Sequence, residues 1–294
     1  MQRRITYIIG DEHNGMKVYT YLKAVLGMST TSVRKLKHSE NGITLNGGYI
    51  RTVDLLKSGD SLVITFPEEE NAIPATSFDN LNIVYEDDDV LVINKPAFLA
   101  MHPTHNHQGD TLANEVAAYM QSKGKNTLFR AVGRLDKCTS GLVVCALNRH
   151  ASSKLQGEYD KEYIAIAGGV FTGSGTIDKP IIRPDPGKTL RAVGEGGERA
   201  VTHWRSLGTD GQASVLRVTL ETGRTHQIRV HFASLGAPLL GDEMYGSDCT
   251  QISRAALHCA RVSFCHPITG ERMTFEAPLP ADMKCLYDKI LTNN

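Results

Sequence analysis

A short apolar run, Leu142–Ala146, constrains the fold of this chain more than any other stretch. Its length and the preceding glycine, Gly141, are typical of a buried strand. Arg134 and Asp136 come just before it, so both are predicted to lie in a tight loop between two strands. A charge at the mouth of a core strand costs several kcal/mol unless it is paired. We therefore expect a function for Asp136 and a partner for its carboxylate elsewhere in the chain.

The rest of the chain alternates between strand and helix patterns. Apolar alternation and turn residues predict strands at 1–9, 43–45, 49–51, 61–66, 83–85, 90–93, 159–167, 201–207, 214–220, 257–264 and 272–276. Apolar spacing and capping residues predict helices at 15–27, from 29–32 onward, 111–121, 148–155, 225–236 and 281–291. The mixture indicates an α+β protein.

The length of 294 residues suggests two domains. Residues 67–78 contain an acidic run and two prolines, which is typical of a linker. We therefore predict a first domain at 1–66, a linker at 67–78 and a second domain at 79–294.

The first domain is basic between Lys17 and Lys57, where seven basic residues face two acidic ones. Most such charge runs are solvated helix faces. Here the order of elements, a helix, a basic helix, "NGITLNGGYI" and "LKSGDSLVITF", resembles the alpha-L RNA-binding domain named for a small-subunit ribosomal protein. The resemblance implies that Arg34, Lys35 and Lys37 bind RNA phosphates.

Composition excludes several classes of protein. The formal net charge is zero, so RNA binding must use local patches. No apolar run approaches the roughly 20 residues needed to span a bilayer, and the N-terminus reads as a strand rather than a signal peptide. We therefore expect a cytoplasmic protein without a membrane partner. Six cysteines without a CxxC pair argue against a disulfide framework.

A second dense polar cluster lies at 222–231, "TGRTHQIRVH". Thr225 is a candidate N-cap for a helix on which His226 and Arg229 take neighbouring positions. One interpretation is a helix capped and charged for solubility. However, the four basic residues of this cluster exceed what capping requires. The cluster therefore indicates a functional site.

Common catalytic fingerprints are absent, since the chain has no GxGxxG, GxxxxGK[ST], GxSxG or HExxH. Asp136 could act as a nucleophile or general base, kept ionised by an Arg, and Tyr163 could stack on a base. His102, His105 and His107 lie close together, but their spacing fits no standard metal ligand set. We interpret that segment as a loop near a nucleotide pocket.

Three longer motifs carry a family resemblance. "GRLDKCTSG", "KEYIAIAGG" and "TGRTHQIRVHFASLGAPLLGDEMYG" resemble the signature stretches of the RluA/RluC/RluD pseudouridine synthases. This resemblance covers about residues 83–280 and implies a large mixed, mostly antiparallel sheet with flanking helices. Gly133 departs from the pattern, because many members have His there, and we expect it to bear on substrate choice.

The resemblance also implies roles for particular residues. Asp136 would be the catalytic carboxylate, with Arg229 pairing it and Tyr163 packing on the flipped base. Arg134 would displace that base. The substrate would also contact Thr139, Arg224, His226 and Gln227. No metal or organic cofactor is implied.

The family resemblance leaves the particular RNA open between ribosomal large-subunit RNA and tRNA. Nothing in the sequence argues against a monomer. Two other classes of function remain as hypotheses: a non-catalytic RNA-binding or ribosome-assembly factor, based on the basic first domain, and a metal-dependent hydrolase using the histidine loop.

Overall fold

The computed structural model describes residues 3–67, 73–77, 81–104, 107–125, 128–156 and 159–292. Half of the predicted linker, including the acidic run at 68–70, lies outside the described residues, as does His105. The six cysteines are all described and all free thiols, as the sequence predicts. Within the described ranges, no helix is long and apolar enough to cross a membrane.

Residues 3–66, called the front unit here, fold around a four-stranded sheet with the order β1-β4-β2-β3. Its strands are β1 (Arg3–Ile8), β2 (Ile43–Leu45), β3 (Gly48–Tyr49) and β4 (Ser61–Phe66). Its helices are α1 (Val18–Thr20), which continues into a π-helical turn at Tyr21–Val25, and α2 (Thr30–Lys37). The helix predicted at 15–27 is therefore shorter and less regular than its apolar spacing indicated.

Helix α2 matches its prediction closely. The Ser29 side chain caps it by accepting a hydrogen bond from the Ser32 N–H at 3.0 Å. Val33 and Leu36 are buried in the core of the front unit. The basic residues of α2 point to the opposite, exposed side.

An ion pair joins the front unit to the remainder of the protein. The Arg3 guanidinium donates from Nη2 and Nε to the two oxygens of buried Asp89, at 2.5 and 3.1 Å. The Phe66 ring stacks on the His150 imidazole with centroids 5.5 Å apart. These contacts hold β1 and β4 against the remainder of the protein.

Residues 81–292, called the main unit here, form a ten-stranded sheet with the path β10-β13-β14-β9-β15-β8-β6-β5, to which β16 and β7 add beside β15 and β8. The main-unit strands are β5 (Ile83–Glu86), β6 (Val90–Lys95), β7 (Arg130–Val132), β8 (Ser140–Ala146), β9 (Tyr159–Gly168), β10 (Ser174–Asp178), β11 (Ile181–Ile182), β12 (Ala192–Val193), β13 (Val201–Thr209), β14 (Ala213–Leu220), β15 (Leu257–Cys265) and β16 (Arg272–Glu276). Strands β11 and β12 pair separately as a small hairpin. The flanking helices are α3 (Leu112–Ser122), α4 (Arg149–Leu155), α5 (Gln227–Ala233) and α6 (Ala281–Thr292). The α+β fold with a mixed, mostly antiparallel sheet is thus confirmed.

Helices cover both faces of this sheet, and the side-chain alternation of β9 shows which face carries the site. Tyr163 and Ala165 contribute to the core that includes Phe232 of α5. Ile164 and Ile166 contribute to the core under α6 instead. Because successive side chains of a strand point to opposite faces, Tyr163 must face the α5 side.

The single parallel strand pair among the described residues sets the distance between the Asp136 loop and Tyr163. Strands β8 and β15 run parallel, with Gly141 opposite Cys259, and Cys259 in turn lies opposite Tyr163 of β9. Neighbouring strands are about 4.8 Å apart, so Tyr163 lies roughly 10 Å from the start of β8. The Asp136 loop ends at that point.

Gly141 allows this close approach. Its φ is +112°, and a Cβ built there would be 2.2 Å from the Cys259 carbonyl oxygen. We expect Gly141→Ala to lower the free energy of unfolding by at least about 2 kcal/mol, because strain and a backbone clash act together. Urea denaturation of the purified protein measures this loss.

Gly173→Ala is the matched control. Gly173 also has a positive φ, +70°, but its Cβ would meet nothing within 4 Å. Only the conformational strain of about 1 kcal/mol should appear there. Equal losses in the two variants would contradict the proposed clash between β8 and β15.

Candidate active site

The loop between β7 and β8 forms a tight turn that presents Asp136. The Thr139 N–H donates to the Asp136 carbonyl at 3.0 Å. The buried Leu135 side chain anchors the loop. Its neighbours Arg134 and Asp136 are exposed and half-buried, respectively. Since β7 and β8 pair antiparallel, the prediction of a loop between two strands is confirmed.

Lys95 supports this loop from beneath, a role that the sequence did not reveal. Its side chain is fully buried, and Nζ donates to the carbonyls of Pro96 at 2.8 Å, Leu99 at 3.0 Å and Lys137 at 3.4 Å. Burial lowers the pKa of Lys95 to about 7. Lys95 Nζ thus ties the end of β6 to the residue that follows Asp136.

Arg229 of α5 contacts two carboxylates. Its Nε and Nη2 donate to the two oxygens of Asp242 at 2.7 Å each, and its Nη1 donates to Asp136 Oδ2 at 3.4 Å. The expected pairing with Asp136 is present, but Asp242 is the closer partner. Such a bidentate pair fixes the plane of the guanidinium group. Arg229 therefore reaches Asp136 in one orientation.

Electrostatics keep Arg229 charged. Burial alone lowers the pKa of Arg229, but the hydrogen bonds that Arg229 donates to Asp242, together with the negative charges of Asp242 and Asp136, outweigh it. The pKa consequently lies above its ordinary value. The Tyr245 ring covers the guanidinium, with its centroid 5.0 Å from Cζ.

His226 lies on the other side of Asp136. Its Nε2 is 4.0 Å from Asp136 Oδ1, and its Nδ1 is 2.8 Å from the Tyr245 hydroxyl. The prediction of Thr225 as the N-cap was wrong, because α5 begins at Gln227 and His226 precedes it with a left-handed φ of +58°. His is among the few non-glycine residues enriched in this conformation.

An open cavity of about 420 Å³ connects these groups, within the range typical of small-molecule sites. It is lined by the loops before β8 and α5, by β9, and by the ends of β14 and β15. Among the predicted site residues, the lining includes Arg134, Asp136, Thr139, Tyr163, Arg224, His226, Gln227 and Arg229. The structure thus brings eight of them to one place.

Several lining groups are polar and buried. Burial, together with the charges of Cys259 and Asp136, raises the pKa of Tyr163, so its phenol stays protonated. The Thr139 hydroxyl is buried without a hydrogen-bond partner among the described residues. Lys161 also lines the cavity, and burial lowers its pKa. Unpaired buried hydroxyls are costly, which is consistent with a bound ligand completing them.

The remaining predicted residues differ in how many hydrogen bonds and ion pairs they form within the protein. Exposed Arg134 makes no hydrogen bond or ion pair with another described residue. Arg224 donates to Glu198 Oε1 at the rim of the cavity at 3.0 Å. The Gln227 side-chain amide makes four hydrogen bonds within the protein, to the backbone or side chains of residues 201, 202, 222 and 224. Gln227 therefore holds the loop before α5 in place.

Arg34, Lys35 and Lys37 do not line this cavity and instead lie on the exposed side of α2.

Gly133 borders the cavity with a φ of +76°. A Cβ built there would be 2.7 Å from Lys161 Nζ. A larger residue at 133 would therefore need both a strained backbone and a displaced Lys161 ammonium group. Gly133 and Lys161 together determine the shape of this wall.

The histidine segment shows no shared ligand set in the part that is described. His107 Nδ1 contacts Asp110 at 2.6 Å and its Nε2 contacts Lys137 Nζ at 3.0 Å, whereas His102 packs against the Phe129 ring. Elsewhere, potential metal-ligand atoms of Asp87, Asp89 and His266 lie within 4.8 Å of one another. However, the Arg3 guanidinium already donates a hydrogen bond to the Asp89 carboxylate. His266 Nε2 also lies 2.8 Å from Asp87 Oδ2.

Comparisons with known proteins agree with this geometry. Residues 89–234 match the family described as RNA pseudouridylate synthase. The chain is 39% identical to the uncharacterized RNA pseudouridine synthase YhcT of Bacillus subtilis, covering 97% of this chain and 96% of that protein. It is 38% identical to ribosomal large subunit pseudouridine synthase D of Vibrio cholerae, covering 96% and 93%.

Among solved structures, human RNA pseudouridylate synthase domain containing 1 superposes with a TM-score of 0.56 at 28% identity, covering 70% of this chain and 86% of that one. The fold and the matched region define an RNA-modifying isomerase. The chain belongs to the RNA pseudouridylate synthase family. It is an RNA pseudouridine synthase, which decides against a non-catalytic RNA-binding factor.

We expect Asp242→Asn to affect both stability and turnover, because it leaves the buried Arg229 cation without its closest partner. The free energy of unfolding should fall by about 3–5 kcal/mol, the typical effect of breaking a buried ion pair. Turnover should fall as well, since Arg229 loses its fixed orientation. Urea denaturation and a pseudouridine assay measure the two effects.

Asp288→Asn provides the control for the Asp242 variant. Asp288 pairs with Lys284 on the exposed surface of α6. Removing such a pair should change stability by only about 0.3–0.5 kcal/mol and leave turnover unchanged. A similarly small effect of Asp242→Asn would show that Asp242 does not orient Arg229.

Proposed function

We propose that this isomerase uses Asp136 as its catalytic carboxylate on a uridine flipped out of structured RNA. The observation that carries the proposal is the position of Asp136, between Arg229 and His226 on the wall of a cavity that Tyr163 also lines. An ionised carboxylate held by a cation is suited to act as a nucleophile or base. The reaction detaches uracil from ribose, turns it and rejoins it through carbon 5.

Base flipping explains the other groups at the cavity. A base must leave its stack before its glycosidic bond can be reached, at a cost of about a few kcal/mol. Arg134 is exposed and has no ion-pair partner among the described residues, so it is available to fill the vacated space. Tyr163 would pack on the extruded ring. A cavity closed by RNA would keep the detached uracil beside the ribose.

Relatives support a particular class of RNA. The Vibrio cholerae relative is named for the ribosomal large subunit, so large-subunit ribosomal RNA is the first target that we propose for this chain. Transfer RNA is the second candidate. Gly133 and Lys161, which shape one wall of the cavity, would contribute to this choice.

We propose further that residues 1–66 are an alpha-L RNA-binding domain and that residues 79–294 are the catalytic domain. The basic side of α2 would bind RNA phosphates through Arg34, Lys35 and Lys37. The Arg3–Asp89 ion pair supports a fixed position of this surface relative to the cavity.

The first test compares wild type with Asp136→Asn on uridine-containing RNA. We expect pseudouridine formation to fall by at least about 1,000-fold, because the amide cannot replace an ionised carboxylate in the chemical step. Chemical labelling of pseudouridine followed by primer extension measures product. The same mapping on RNA from cells with and without this gene identifies the target.

Asp160→Asn is a matched control, since the side chain of Asp160 forms, among the described residues, only an exposed ion pair with Arg272 at 2.5 Å. It should retain wild-type turnover. Equal product from wild type and Asp136→Asn would overturn the assignment of Asp136.

The second test replaces Arg34, Lys35 and Lys37 together by Ala. RNA affinity should fall, and the slope of log affinity against log salt should become shallower by about 2–3, since each lost phosphate contact contributes about 0.7–0.9. Turnover on a short RNA at saturation should be unchanged. Binding titrations at several salt concentrations give the slope.

A triple Ala variant at Lys125, Lys284 and Lys289 removes the same charge from the main unit. It should leave the salt slope near that of wild type. If both triple variants changed the slope equally, the front unit would not be the main phosphate-binding surface.

A further inference from the structure

A chain of hydrogen bonds leads from the β11–β12 hairpin to Asp136. The Arg191 backbone N–H, beside β12, donates to the Tyr245 hydroxyl oxygen at 3.1 Å. That hydroxyl is 2.8 Å from His226 Nδ1. The other ring nitrogen of His226, Nε2, faces Asp136 Oδ1 across 4.0 Å.

The donor in each bond follows from what each group can supply. A backbone N–H can only donate, so the Tyr245 oxygen accepts from Arg191. Within the described residues, His226 Nδ1 is then the one acceptor in reach of the Tyr245 hydroxyl proton. If Nδ1 carried a proton instead, that half-buried hydroxyl would have no acceptor among the described residues. The arrangement that satisfies every group places the imidazole proton on Nε2.

The charge around His226 is compatible with a neutral ring. Burial lowers the pKa of His226, and Arg229 and Arg191 lower it further, whereas the carboxylates of Asp136 and Asp242 raise it. The net direction is downward, so the ring is neutral at pH 7. The left-handed backbone at His226 is strained relative to an ordinary helix start, and such strain concentrates at functional sites.

We propose that Tyr245 is a positioning residue that locks His226 in its neutral Nε2–H form and thereby aims one donor at the nucleotide beside Asp136. The 4.0 Å gap from Nε2 to Asp136 is too long for a hydrogen bond. It allows an oxygen about 2.9 Å from Nε2 to lie next to the carboxylate. The proposal rests on the function proposed above.

The Nε2–H donor of His226 would act on charge that develops on uracil during the reaction. When the bond between ribose C1′ and uracil N1 breaks, its electron pair stays with the uracil and spreads onto the carbonyl oxygens. A hydrogen bond from Nε2–H to such an oxygen is stronger after cleavage than before it. An interaction of this kind raises kcat rather than lowering KM.

Tyr245→Phe tests the proposal, because it removes only the hydroxyl that fixes the tautomer. We expect kcat to fall about tenfold with KM nearly unchanged, since one oriented hydrogen bond is lost. Proton–nitrogen spectra of protein carrying ¹⁵N-labelled histidine report which ring nitrogen is protonated. Wild type should show His226 protonated at Nε2, and Tyr245→Phe should show a mixture of both tautomers.

The controls separate this proposal from simple loss of structure. His226→Asn identifies the His226 signal, because Asn tolerates the left-handed backbone. Tyr85→Phe also removes one tyrosine hydroxyl that bonds to a side chain, Asp87 at 2.7 Å, outside the cavity. It should leave kcat and the His226 spectrum unchanged.

Two results would overturn the proposal: a wild-type His226 protonated at Nδ1, or a Tyr245→Phe protein with wild-type tautomer and kcat. The spectra are recorded without RNA, so they remain decisive if the proposed function fails. Failure of that function would appear separately, as pseudouridine formation that does not depend on Asp136.

Discussion

The buried bidentate pair between Arg229 and Asp242 is the interaction on which the site depends. Two carboxylates compete for one guanidinium, and Asp242 takes the closer position with two bonds of 2.7 Å. Burying such a pair gains little net stability over a well-packed apolar pair. Its benefit here is geometric, because it leaves Nη1 directed at Asp136 and prevents the Arg229 side chain from adopting other rotamers. Asp136 thus has a fixed counter-charge without being fully neutralised by it.

The sheet supplies the rigidity that this arrangement requires. Gly141, Cys259 and Tyr163 lie in register on three neighbouring strands, so the distance between the Asp136 loop and the Tyr163 ring is set by strand spacing. Helix α5 packs through Ile228 and Phe232 on the same core, which carries Arg229 to the same edge. Each charged group therefore sits on a loop or helix start whose neighbours are buried. A site built this way places its groups more precisely than mobile loops could.

The sequence predicted the parts of this site that follow from local pattern. The run at 142–146 implied a buried strand, and charges before it implied a partner, which Arg229 supplies. Asp242 could not be found in this way, because nothing local distinguishes it from the other carboxylates near the end of the third motif. Lys95 has no local signal of its role, since its contacts with residues 99 and 137 depend on tertiary structure. Thr225 failed as an N-cap because a histidine in a left-handed conformation has no sequence signal as clear as glycine.

Asp89 links the front unit to the cavity. One of its oxygens accepts from Arg3 Nε and from the Asn148 amide, and the other accepts from Arg3 Nη2. Asn148 caps α4, which directly follows β8, the strand that begins at the Asp136 loop. The carboxylate is almost completely buried, so this ion pair is screened by salt less than the phosphate contacts of α2 would be. High salt should therefore leave the front unit in place beside the sheet of the main unit.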